Sequence, residues 1–409
     1  MTLSPSSPTF TAPAQVQRHS TLDRLWKWIP EKIVQSVPIL TRLRGESARR
    51  HADAASHAVD AETIDVAIAE YTTALELEPW NPKYLYGLGR IYYQQNDLNM
   101  AEVFFRRALA ADFYNADAVK GLGYTLHRQN KTDEAIYLYL RYLERQPKDL
   151  DVHLNLIAAL EAGGKYEEAI RAGERAVEEF PSDAQLLFML ARNNYLAGKI
   201  DVAIPQLEQA HDLNPENSDI YRVLGVALRT RGDFDLALKN FQEAIKHNPS
   251  DADAYLAAAD AYQRLGRDEE YLQAAQTARQ LFEAAKNDMG VKYACWDEGW
   301  AHYKLRHWAD SVKASECALK IDSSLASVRF NLALALLRLG EVERARREYE
   351  SAMELNDLGS LKSAGIDDLT AAVNEEPQLA GAQEIIKQLE RKYQELASQR
   401  GETLAATQR

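Results

Sequence analysis

The chain has 409 residues, 27% of them charged and 46% hydrophobic, a globular balance that excludes wholesale disorder. Lys plus Arg is 48 against Asp plus Glu 61, a formal net charge of −13. That charge excludes a strong match to phosphate backbones, which need concentrated Lys and Arg, so no nucleic-acid partner is expected.

The N-terminal segment, residues 1–47, differs from the rest. Residues 1–14 are rich in Ser, Thr and Pro and lack an apolar core, so no secretory signal is expected. Further along, no run reaches the roughly 18 apolar residues of a spanning helix. The expectation is a cytoplasmic chain, with import into an organelle as the alternative for a Ser-rich, acid-poor leader. Residues 1–50 carry eight basic side chains (Arg18, Arg24, Lys27, Lys32, Arg42, Arg44, Arg49, Arg50) against three acidic ones. Leu22, Leu25, Trp26, Ile29, Ile33, Val34 and Val37 recur at helical spacing, but Pro30 and Pro38 predict only short helices. Packing on the first helix pair is preferred to contact of residues 18–44 with an acidic membrane surface, because Pro30 interrupts the apolar face.

From residue 48 onward the spacing is regular. Ala67, Ala101, Ala135, Ala169, Ala203 and Ala237 are each 34 residues apart, as are Pro147, Pro181, Pro215 and Pro249. Ala74, Ala108, Ala176, Ala210 and Ala244 keep the same step, with Tyr142 filling the gap. Such a register marks an array of supersecondary units. Each unit reads as two helices. In the second, Leu85, Leu88, Ile91 and Tyr92 form one apolar face, Asn96-Asp97 interrupts, and Ala101, Phe104, Phe105, Ala108 and Leu109 form the next. The interrupting position is Asn96, Asn130, Gly164, Gly198, Gly232, Gly266 and Gly340, residues that tolerate the left-handed conformation ending a helix.

These residues resemble the tetratricopeptide repeat (TPR) family: Leu88, Gly89, Tyr92, Ala101, Phe105 and Ala108 match its pattern, as do Leu224, Gly225, Ala237, Phe241, Ala244 and Pro249. The resemblance implies an all-α, right-handed solenoid of antiparallel helix pairs. Nine repeats are assigned: 48–81, 82–115, 116–149, 150–183, 184–217, 218–251, 252–285, 292–325 and 326–359. The seventh departs from the pattern with Tyr271 in place of Ala and Glu283 in place of Pro, and an insert, residues 286–291, follows it. In the fifth, Pro205 stands inside the second helix. Residues 360–409 are expected to hold capping helices. Leu379, Ala382, Ile386, Leu389, Tyr393 and Leu396 form an apolar stripe that reads as a cap on the last repeat, a dimerising coiled coil over 379–396 being the alternative.

Chemistry is scarce. Gly87-Leu88-Gly89 and Gly121-Leu122-Gly123 lack the third glycine of a dinucleotide loop, and no strand precedes either. His302 and His307 are five apart, off a shared helix face. Cys295 and Cys317 lack CxxC spacing and read as small core residues in a reducing compartment, a redox pair being the alternative. No catalytic motif, metal or cofactor is expected.

By the resemblance, the inward positions are the fifth, ninth, twelfth and thirteenth of each repeat. They hold Tyr86, Arg90 and Tyr93; Lys120, Tyr124, His127 and Arg128; Phe188, Arg192 and Tyr195; Arg222 and Arg229; Trp296, Trp300, Tyr303 and Lys304; then Phe330, Leu334 and Leu337. Glu161 and Asp260 are the acids among them, while Asp117, Asp151, Asp219 and Asp253 read as helix N-terminal capping devices. A basic, tyrosine-lined groove is therefore expected, rich in the residue types that dominate hot spots. The carboxylate clamp of chaperone-binding relatives is not matched: Lys120 and Asn155 fit, but Tyr124, Gln185 and Met189 replace the rest. The expected function is a non-catalytic adaptor that holds an acidic, extended or helical peptide of another protein. The alternatives are an RNA-binding helical repeat and a regulatory subunit of an enzyme on another chain.

Overall fold

A computed structural model describes residues 29, 31–36, 38–60 and 63–407. Arg18, Arg24 and Lys27, with Leu22, Leu25, Trp26, Pro30 and Val37, lie outside the described residues. Two compact units divide the chain, Met1–Gly198 and Lys199–Arg409.

In the first, the helices are α1 (Glu31–Ser36), α2 (Pro38–Asp60), α3 (Ile64–Leu77), α4 (Pro82–Gln94), α5 (Leu98–Ala111), α6 (Ala116–Arg128), α7 (Thr132–Leu143), α8 (Leu150–Ala162), α9 (Tyr166–Glu179) and α10 (Ala184–Leu196). The second holds α11 (Ile200–Leu213), α12 (Ser218–Arg231), α13 (Phe234–His247), α14 (Ala252–Arg264), α15 (Asp268–Ala284), α16 (Asp288–Lys304), α17 (Trp308–Ile321), α18 (Ala326–Arg338) and α19 (Val342–Glu354). Then come α20 (Leu358–Ser360), a π-helical turn (Leu361–Asp367), α21 (Asp368–Glu375) and α22 (Ala382–Thr407). Within each unit consecutive helices pack as antiparallel pairs, an all-α solenoid arrangement. Among the described residues no helix is long and apolar enough to cross a membrane.

The period sets both packing and turns. Every alanine of both 34-residue series is sealed from solvent, and Tyr142 in the gap is buried too. Asn96, Asn130, Gly164, Gly198, Gly232, Gly266 and Gly340 all have left-handed φ, from 59° to 99°. The first helices of repeats two to seven each open on a side-chain cap: Asn81, Asn115, Asp149, Asp183, Asn217 and Asp251 accept a bond from a first-turn backbone amide. The caps therefore stand two residues before Asp117, Asp151, Asp219 and Asp253, which are first-turn residues rather than caps.

Other expectations need correcting. The boundary at 47/48 falls inside α2, because Pro38 is the first residue of that helix and starts it instead of breaking it. Residues 286–291 are not a separate insert: Lys286 makes the turn (φ 53°), and α15 and α16 each run 17 residues, so Asp288 to Val291 open α16. Pro205 does stand inside a second helix, α11, where it is exposed. Cys295 and Cys317 are joined in a disulfide, with Cα atoms 6.0 Å apart across the α16–α17 hairpin. The spacing of 22 residues gave no sign of this, because the hairpin and not the sequence brings the two together.

The C-terminal stripe packs onto its own chain. Leu379, Ala382, Ile385 and Leu389 are buried with Leu332, Leu336 and Tyr349 in one core cluster, and Ile386, Tyr393 and Leu396 pack against it. This is the geometry of a cap over α18 and α19.

Candidate functional site

In the first compact unit the first helices α4, α6 and α8 lie side by side. Between them opens a cavity of about 510 Å³, lined by Tyr86, Arg90 and Tyr93 of α4, Lys120 and Tyr124 of α6, and Asn155 of α8. Its floor is Phe105 of α5, whose ring rises between the helices because Gly89 and Gly121 face it. A Cβ on Gly89 would stand 2.6 Å from that ring. Tyr86 lies 5.8 Å from Phe105, and burial raises its phenol pKa. Tyr124 donates from its hydroxyl to Asn155 Oδ1 at 2.9 Å. Arg128 lies 5.0 Å over the Tyr93 ring and donates to Asn96 Oδ1 at 2.6 Å.

Most of the cations at the expected groove positions are matched, in each compact unit taken by itself. Lys120 pairs with Asp151 at 2.8 Å and with Asp117 at 3.7 Å, and the bond to Asp151 raises its pKa. Arg192 reaches Glu161 at 2.9 Å, and Asn193 donates to the same carboxylate at 3.0 Å. Arg222 pairs with Asp219 at 2.7 Å and Asp251 at 3.2 Å, and Arg229 with Asp260 at 3.3 Å. The pairs Lys120–Asp151, Arg192–Glu161 and Arg229–Asp260 span 31 residues, as does Tyr124–Asn155. That is one period less one helical turn, so each links neighbouring first helices. The wall is therefore less basic than the sequence suggests. In the first compact unit Arg90 and Arg128 are the groove cations without an ion pair among the described residues, and Arg90 is exposed.

The other expected site residues are distributed unevenly. Phe188 is buried, with Arg192 lying 5.4 Å over its ring, so it supports the wall without lining it. Tyr195 is half-buried on α10. Phe330 is fully buried under the C-terminal cap, 6.0 Å from Tyr349 and beside Gly365, which removes it from any groove. Tyr303 packs between Trp300 (5.1 Å) and Trp308 (4.9 Å), and Arg338 donates to its hydroxyl at 3.4 Å.

Trp296 and Trp300 do line a cavity, of about 450 Å³, in the second compact unit. It is built from α12, α14 and α16, with Tyr271 of α15 beneath, so Tyr271 takes the place Phe105 holds in the first. Arg229, Asp253, Asp260 and Asp297 supply its charged groups. The Tyr271 hydroxyl donates to Asp297 Oδ1 at 3.0 Å. Burial pushes the Asp297 carboxyl up to about 7, against the opposing pull of the Tyr271 hydrogen bond. Sequence reading passed over Asp297; its signal was Tyr271, the aromatic standing where an alanine belongs.

Tetratricopeptide repeat family models match residues 101–149, 122–184, 188–238 and 297–358, and 58–123; a TPR repeat model matches 225–266. Solved structures similar to this chain include a crystal structure of MamA, 24% identical, with 40% of this chain and 90% of that chain covered and a TM-score of 0.37. YrrB, titled a TPR protein with an unusual peptide-binding site, is 22% identical, with 45% and 95% covered and a TM-score of 0.38. The APC/C hetero-tetramer Cut9-Hcn1 is 17% identical, with 80% and 59% covered and a TM-score of 0.48. No curated protein matches. With repeat matches running through residues 58–184, 188–266 and 297–358, on helix pairs whose alanines and turns keep the 34-residue step, the chain belongs to the tetratricopeptide repeat family.

Proposed function

We propose that the protein is a non-catalytic scaffold that holds an extended or helical segment of another protein along its first-helix walls. TPR proteins bind other proteins or peptides, and YrrB is titled for such a site. The observation that carries the reading is the cavity lined by Tyr86, Tyr93 and Tyr124 with Arg90 at its edge. Tyrosines give large contact area at small entropic cost, the Tyr124 hydroxyl being fixed by Asn155, and an arginine without a counter-ion is available to a carboxylate. An acidic residue of the segment would meet Arg90 and Arg128. Lys120, Arg192, Arg222 and Arg229 add little to that preference, because a ligand would have to displace their aspartates and glutamates. The same pairing counts against the RNA-binding alternative, since phosphates would face the same competition.

Peptides selected from a random display library against the full chain provide the test. Tyr86→Ala with Tyr124→Ala should weaken the selected peptides at least tenfold, and Arg90→Glu should weaken the acidic ones preferentially, with the difference fading as salt rises. Selected peptides that bind these variants as tightly as the wild type would overturn the reading.

A further inference from the structure

We propose that the cavity between Trp296 and Trp300 in the second compact unit takes the side chain of an arginine or lysine carried by a bound polypeptide segment. The inference rests on the scaffold reading and names the chemistry of one anchor, opposite in sign to the acidic partner expected from sequence.

Three features of the cavity point to a cation. Its volume, about 450 Å³, is open to a side chain entering from the first-helix face, and two indoles line it. Tyr303 stacks on one face of Trp300 at 5.1 Å, nearly parallel, and Trp300 packs against the Tyr271 cluster, so the indole is held in place where it lines the cavity. A guanidinium or ammonium over an indole face within about 6 Å is attracted by the ring quadrupole, increasingly so when water is excluded.

The second feature is charge balance. Asp253, Asp260 and Asp297 line the cavity with one lining cation, Arg229, which is already engaged with Asp260 at 3.3 Å; Arg222, outside the lining, also feels Asp253 but pairs with Asp219 and Asp251. Lys292 lies 4.7 Å over the ring of Tyr293 but is buried and pairs with Asp322 at 3.1 Å. The wall of the first compact unit differs: there Lys120 and Arg90 stand with Asp117 and Asp151, two against two.

The third is the setting of Asp297. Among the described residues one of its oxygens receives a hydrogen bond, from Tyr271, and the half-buried carboxyl is set against the cavity wall, so its charge lacks a full complement of partners. A bound cation would supply what burial withholds; a neutral or acidic side chain would not. The groups acting on it are Tyr271 from α15, Asp260 from α14 and Arg229 from α12, while Asp268 acts on Tyr271 and Asp253 lines the same cavity. From the residue after α17 and from α18, Asp322 and Arg338 meet α16 at Lys292 and Tyr303, elsewhere on that helix. Because Asp297 titrates near pH 7, its charge, and with it the hold on a cation, grows as pH rises through that value.

The probe is a fluorescein-labelled, acetylated and amidated Gly/Ser/Ala peptide with two arginines, beside versions carrying citrulline or glutamate at the same places. Binding to the full chain is read by anisotropy. The arginine peptide should bind at least tenfold more tightly than the citrulline peptide at pH 8, and several-fold more weakly at pH 6. Asp297→Asn should remove that pH response, and Asp253→Asn, at an exposed position, should reduce the arginine preference without touching the core. Equal binding of arginine and citrulline peptides would overturn the proposal. So would an arginine preference that survives both variants, since that is attraction to the general negative charge. Free L-argininamide binding as tightly as the peptide would also overturn it, because the occupant would then be a small amine. Peptides selected through Tyr86 and Tyr124 separate the two readings: if they still bind while the arginine probe fails, only the cation pocket falls.

Discussion

Arg192 on α10 and Glu161 on α8 meet at 2.9 Å across neighbouring first helices, with buried Asn193 donating to the same carboxylate. The pair sits about a third exposed on the arginine side, so solvent screens part of its Coulomb energy. Its value lies in satisfying three donors with one acceptor group: removing the acid strands a half-buried guanidinium and weakens the satisfaction of a buried amide.

Glu161→Gln should therefore cost about 1–2 kcal/mol of unfolding free energy, seen as a lower urea midpoint at unchanged slope. The same change leaves Arg192 uncompensated, so a glutamate-containing peptide selected on the first wall should bind Glu161→Gln more tightly than the wild type. An unchanged midpoint and unchanged affinity would mean that the pair neither supports the wall nor competes with an acidic ligand.

Gly89 lets Phe105 rise between α4 and α6. A methyl group there would stand 2.6 Å from the ring, and the ring is itself buried against Gly121, so it has little room to retreat. Gly89→Ala should lower stability by about 1–3 kcal/mol through overpacking, despite the better helix propensity of alanine. Thermal melts followed by circular dichroism check it. A stabilised variant would show that the Phe105 floor can shift, and the cavity shape with it.

Asp297 should make the second compact unit less stable as pH rises. Its folded pKa, about 7, lies above the ordinary aspartate value of 3.8, because burial disfavours the charged form. Between those two values the unfolded chain has lost the proton that the folded chain keeps. Stability from this group is full below about pH 4 and is lost as pH climbs through 7. Asp368, raised to about 6 by burial, works in the same direction. Guanidinium midpoints at pH 5 and pH 8 should differ more for the wild type than for Asp297→Asn. Identical differences would place that carboxyl in water.

What was legible in the sequence was whatever repeats along one helix or at one turn. The alanines show at a 34-residue step because two backbones must approach closely at the same place in every pair. The turns show because only Gly and Asn sit easily at positive φ. Asn81, Asn115, Asp149, Asp183, Asn217 and Asp251 keep that step too, and the capping role given to Asp117 and its equivalents belonged to them. The electrostatics of the wall were not legible. Lys120 finds Asp151 only when α6 and α8 are stacked in register, so a groove read one helix at a time looks basic. Phe330 was lost for a related reason: what covers it is α20 to α22, whose place is set by packing and not by the repeat.

The disulfide between Cys295 and Cys317 gives the last expectation. It closes a 22-residue separation within the α16–α17 hairpin, and Cys295 adjoins Trp296 and Asp297 in α16. Chain-entropy bookkeeping for a loop of that size puts its stabilisation near 3 kcal/mol, by restricting the unfolded chain. The folded hairpin should survive reduction, since Ala301, Ala314 and Ala318 remain packed in its helices, but at a lower melting temperature. Thiol titration in guanidinium should find no reactive cysteine before a dithiol is added and two afterwards. The double substitution to serine should melt like the reduced protein and be indifferent to the dithiol. Two thiols found without reductant would instead leave the pair as small buried side chains. In that case the α16–α17 hairpin is held by helix packing and by the Ser311 hydroxyl donating to the Gly299 carbonyl at 2.8 Å.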